Sequence, residues 1–77
     1  MCIHQENANQ IKTMRKNLIL FRKRKIWSVE ELSQISGIDV NILTEIEGDE
    51  NFEIDHLFML CRIYGVMVHE IFLPMNE

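Results

Sequence analysis

Ile11, Met14, Leu18 and Phe21 stand three, four and three positions apart, which is one face of a helix. That spacing predicts a first helix over about residues 9–25, with a basic cluster on its last turns, where cations suit the helix dipole. Ser28 followed by Glu31 reads as a capping box, in which hydroxyl and carboxylate each satisfy an orphan amide. Leu32 and Ile35 are the expected buried edge of this second helix, and Gly37 ends it through a positive φ. Asp39 is the natural N-cap of a third helix, with Leu43 and Ile46 facing inward and Gly48 as its stop. After a polar loop over 49–53, Ile54, Leu57, Cys61 and Tyr64 mark a fourth helix that ends at Gly65. Residues 68–73 make a short fifth helix, stopped by Pro74. The expectation is all-α: one compact five-helix domain over 11–73, a flexible N-terminal tail over 1–10 and a C-terminal tail over 74–77.

Composition narrows the function. The chain has 77 residues, room for one small domain, and its 47% hydrophobic and 26% charged content is that of a globular protein. The longest apolar run, at 63–68, is far too short to cross a bilayer, so no membrane role is expected. Residues 1–10 lack the apolar core of a signal peptide, and Cys2 and Cys61 are too few for a disulfide framework. A cytoplasmic protein with reduced thiols is the economical expectation. Charge is strongly segregated. Residues 1–25 hold seven bases and one acid, and the remainder one base and eleven acids.

The informative stretch is 28–48, SVEELSQISGIDVNILTEIEG: a helix, a tight Gly-containing turn and a second helix. With Arg22 on helix 1, Ser28 as N-cap, Glu30-Glu31-Leu32, the turn Ser36-Gly37-Ile38, Ile46-Glu47, and Leu57 with Val66 further on, the chain resembles the phage-repressor (Cro/CI, or XRE) family over residues 18–72. That resemblance implies a lambda-repressor-like fold with the helix-turn-helix at helices 2 and 3. It also implies a sequence-specific, double-stranded-DNA-binding transcriptional regulator whose recognition helix, about 40–47, enters the major groove. Arg22 and Glu47 would form a structural ion pair tying helix 1 to the recognition helix.

By the same resemblance, DNA contacts fall to Ser28 and Val29 at the start of helix 2, and to Val40, Asn41, Thr44 and Glu45 on helix 3. Asn41 suits adenine, Val40 a thymine methyl, Glu45 a cytosine amine, and Thr44 a base or phosphate. Lys23 and Lys25, with Arg24 between them, would supply phosphate contacts, with Arg15 and Lys16 further back. The sequence departs from the family's pattern in several ways. Val29 stands where glutamine is usual, and residues 39–55 hold seven acids and no Lys or Arg. Since phosphate neutralisation supplies most non-specific affinity, this acidity motivates an alternative: an interaction protein whose acidic face binds a protein partner instead of DNA.

Ile19, Leu20, Ile42, Phe52, Met59, Ile63 and Met67 fall where the family is usually polar. They point to a self-association surface, and hence a homodimer, with Ile11 and Met14 or Ile71, Phe72 and Leu73 as contact segments. His56, Cys61 and His69 lack the spacing of helical metal ligands, and Cys2-Ile3-His4 is a weak amino-terminal motif. No metal or cofactor is expected, and no residue set suits catalysis.

Overall fold

A computed structural model describes residues 3–48 and 52–74, with side chains from residue 9 onward. Residues 49–51 of the expected polar loop, Cys2 and the ends 1–2 and 75–77 lie outside the described residues. The architecture is four α-helices, α1 (Ile3–Arg24), α2 (Val29–Ser36), α3 (Val40–Glu47) and α4 (Ile54–Tyr64), followed by a 3-10 helix at Val68–Phe72. No strand occurs among the described residues. The short fifth helix expected over 68–73 is present as a 3-10 helix one residue shorter, as a five-residue segment running into Pro74 has no length for a stable α-helix.

α1 begins at Ile3, well before the start expected near residue 9, so most of the expected tail is helical. No glycine or proline interrupts residues 3–10, and Gln, Glu and Ala there are good helix formers. Apolar periodicity, which locates buried faces, is silent about such a polar extension. Along α1, Met14 and Leu18 are fully buried, with Ile11 and Phe21 packed at the margin. Leu32, Ile38, Leu43, Ile46, Leu57, Leu60, Cys61, Tyr64 and Ile71 complete the core.

Two positions expected inside are outside. Ile35 is 49% exposed because α2 turns Leu32, Ser33 and Ser36 inward. Ser33 Oγ donates to Ile38 O at 2.6 Å, and Ser36 Oγ accepts from Ile38 N at 3.1 Å. Ile54 is also half exposed, at the first position of α4, while Leu60 takes the buried place that the three-four spacing left out. Conversely, Ile42, Phe52 and Ile63 pack against the core instead of lying free on the surface. Met59 and Met67 do stand exposed. Cys61 is buried, and desolvation raises its thiol pKa, as suits a small hydrophobe.

Asn17, absent from the expected core, is buried and joins distant segments. Its Nδ2 donates to Ile71 O at 2.8 Å and Leu73 O at 2.7 Å, fastening the 3-10 helix to α1. Met14 and Ile71 are therefore spent inside one chain and are withdrawn from any dimer contact; Leu73 remains half exposed.

The α1–α2 junction carries strain. Ile26 has φ 59°, a left-handed conformation costly for a β-branched residue, and is 86% exposed. Three hydrogen bonds hold it there: Ile26 N to Lys23 O at 2.9 Å, Trp27 N to Arg22 O at 3.3 Å, and Arg22 Nη1 to Trp27 O at 2.9 Å. Ile26→Gly should therefore raise stability by about 0.5–1 kcal/mol, the relieved strain outweighing the extra freedom of the unfolded chain. Thermal melts check this, and a lower midpoint would show that the turn needs its side chain.

Candidate nucleic-acid interface

The two helices of the motif are set by their caps. Ser28 is extended, its Oγ accepts from Glu31 N at 3.0 Å, and Glu31 Oε1 accepts from Ser28 N at 2.9 Å, which closes the capping box. Gly37 ends α2 at φ 75°, a conformation that only glycine adopts without penalty. Asp39 then caps α3 by accepting from Asn41 N at 2.7 Å. Gly48 closes α3 for a different reason: a Cβ there would stand 3.1 Å from Thr44 O.

α3 is oriented by α1 at two points. Arg22 grips Glu47 bidentately, Nε donating to Oε2 at 2.8 Å and Nη2 to Oε1 at 3.0 Å, with both side chains mostly buried. The hydrogen bond to Glu47 raises the Arg22 pKa, against the opposing effect of burial. Tyr64 packs beside this pair, its ring centroid 5.6 Å from Phe21 and 6.3 Å from Trp27. Burial, reinforced by Glu47, pushes its phenol well above the usual range, and its hydroxyl has no hydrogen-bond partner among the described residues. Arg15 is the second point. Its Nη1 donates to Glu45 O at 3.0 Å, Ile46 O at 2.8 Å and Gly48 O, neutralising the negative end of α3, and its guanidinium lies 5.5 Å from the Phe52 ring centroid. Sequence reasoning placed Arg15 in a general basic cluster. Nothing in its spacing pointed to carbonyls some thirty positions away.

With Leu43 and Ile46 buried, the opposite arc of α3 presents Asn41, Thr44 and Glu45 to solvent. Val40 is half-buried at the edge of that arc. The Thr44 hydroxyl donates to Val40 O at 2.8 Å, so its lone pairs are directed outward as acceptors. An acceptor suits a base amino group, not a phosphate. Ser28 is exposed at the N-terminus of α2, whereas Val29 is half-buried and packs against the core.

The basic cluster is divided. Lys25 stands over Trp27, its Nζ 5.8 Å from the ring centroid, close to Ser28 in the chain. Lys23 belongs to the outward face of α1 with Lys12 and Lys16. Neither α2 nor α3 contains a Lys or Arg, and the exposed Glu30, Glu31 and Glu45 make this face acidic. Among the described residues, no group of three or more His, Cys, Asp or Glu side chains converges as a metal site, and no helix is long and apolar enough to cross a membrane.

No curated protein and no solved structure matches the chain. The family model of the Cro/C1-type HTH DNA-binding domain matches residues 17–74. Since that segment runs from within α1 past the 3-10 helix and contains both helices of the motif, the chain belongs to the Cro/C1-type helix-turn-helix DNA-binding family.

Proposed function

We propose that this protein is a sequence-specific transcriptional regulator that lays α3 in the major groove of double-stranded DNA. The observation that carries the proposal is the solvent-facing arc Asn41, Thr44 and Glu45, on a helix whose other side is locked to α1 by Arg22 and Arg15. Asn41 has the paired donor and acceptor that match the N6 and N7 edge of adenine. Thr44 accepts from a base amine, Glu45 accepts from cytosine N4, and Val40 meets a thymine methyl. Ser28, at the positive end of α2, and Lys25 hold the phosphate backbone. Phosphate contacts are few in this arrangement, so affinity leans on base contacts and falls only gently as salt rises. A homodimer belongs to the proposal, because palindromic half-sites about 34 Å apart require paired recognition helices.

The test begins with selection of a binding site from random duplexes, followed by Asn41→Ala. The variant should lose about 1–3 kcal/mol of affinity and relax preference at one base pair, with its melting curve unchanged. Absence of any duplex binding by the folded protein at roughly 50 mM salt, where phosphate contacts are strong, would overturn the proposal. The acidic face would then be sought on a basic protein partner.

A further inference from the structure

On the side of α1 turned away from the core lies a shallow, open groove of about 370 Å³, formed between side chains of α1 alone, that the DNA reading does not use. Ile19 and Leu20, both partly exposed, form its floor, and Lys12, Lys16 and Lys23 stand around it; Arg15 also lines it, while donating to the carbonyls at the end of α3. One helical arc carries the floor and the lysines, opposite the buried arc of Met14, Asn17, Leu18 and Phe21. An outward helix face is ordinarily polar throughout. Two adjacent large aliphatic residues inside a ring of cations instead make a mixed recognition surface. It straddles residue 17, where the family-matched segment begins, so Lys12 and Lys16 belong to the upstream extension of α1.

We propose that this groove docks an acidic amphipathic helix of a partner protein, apolar side chains on Ile19 and Leu20 and carboxylates on Lys12, Lys16 and Lys23. Charge complementarity selects this occupant. A two-fold pairing of the same face would set lysines against lysines with no acid among residues 9–25 of either copy. A nucleic-acid backbone has no use for the aliphatic floor. A membrane surface needs a wide apolar face, and the wide apolar face of α1 is buried in the core. Lysine stems flanking the aliphatic pair also match a helix-on-helix contact, apolar at the centre and charged at the rim.

The probe is a labelled synthetic helix with leucines on one face and glutamates on the other, titrated against the full chain by anisotropy. Polyglutamate, anionic phospholipid vesicles and duplex DNA are run in parallel. The proposal requires the amphipathic peptide to bind better than polyglutamate. It also requires Ile19→Ser/Leu20→Ser and Lys12→Glu/Lys16→Glu each to weaken it by about tenfold or more, as expected when buried aliphatic area or rim charge is lost. Equal binding of polyglutamate, no effect of the serine pair, binding to vesicles alone, or no peptide binding would each overturn it. The serine pair should leave duplex binding unchanged, so this groove and the α3 interface fail or stand independently. Should the serine pair melt early, the lysine pair, wholly on the surface, carries the same comparison.

Discussion

Glu47→Ala should lose about 3–5 kcal/mol of folding stability, the scale seen when one partner of a largely buried ion pair is removed. The pair's side chains are only 15% and 12% exposed, and among the described residues the remaining Arg22 charge would keep a single hydrogen-bond acceptor, the carbonyl of Trp27. The larger part of the loss is the desolvated guanidinium left behind, not the attraction removed. A double replacement, Arg22→Met with Glu47→Leu, should therefore recover most of the stability, since packed apolar groups of similar volume substitute well for an ion pair. Urea melts followed by the fluorescence of Trp27, the only tryptophan, provide the measurement, since that ring lies beside Tyr64 and the Trp27 carbonyl accepts from Arg22. A loss below about 1 kcal/mol, the scale of a surface pair, would show that the bridge does not hold α3 in solution.

Leu43→Ala is expected to have a comparable effect, about 3–5 kcal/mol, by a different mechanism. Leu43 is fully buried, and in the eight residues of α3 only Ile46 shares that status. Truncation would leave a cavity under the middle of the helix that carries Asn41 and Thr44, which neighbouring helices can fill only by moving. Out of a total near 5–15 kcal/mol for a small domain, such a loss populates the unfolded state measurably. Duplex affinity should fall along with stability, whereas Leu43→Met, which conserves volume, should keep both. That contrast separates the seat of α3 from its solvent-facing arc, because Asn41→Ala is expected to leave the melt unchanged. A Leu43→Ala protein as stable as the parent would mean that the core does not hold α3 at this point.

The helix-turn-helix was legible because its instructions are local. Ser28 and Glu31 are three positions apart, Asp39 caps two positions ahead of its donor, and Gly37 supplies its own φ. The Arg22–Glu47 geometry followed from family resemblance, not from spacing, since the two residues are 25 positions apart. Asn17 was half legible: it sits on the arc of Met14 and Phe21, and a polar residue on a buried arc calls for a partner, though not for the particular carbonyls of Ile71 and Leu73. The exposure of Ile35 was not legible, because it depends on which way α2 rolls, and two serine hydrogen bonds to Ile38 accompany the observed roll.

Short-range rules thus account for where helices begin and end and which residue types cap them, because a cap and its amide are only a few positions apart. The uses of the cations are of another kind. Arg15, Lys23 and Lys25 look alike in a basic run, yet one binds the carbonyls of α3, one rims an outward groove and one covers Trp27. A long charged side chain takes its role from whichever element crosses within its reach, and that crossing exists only once the helices are packed.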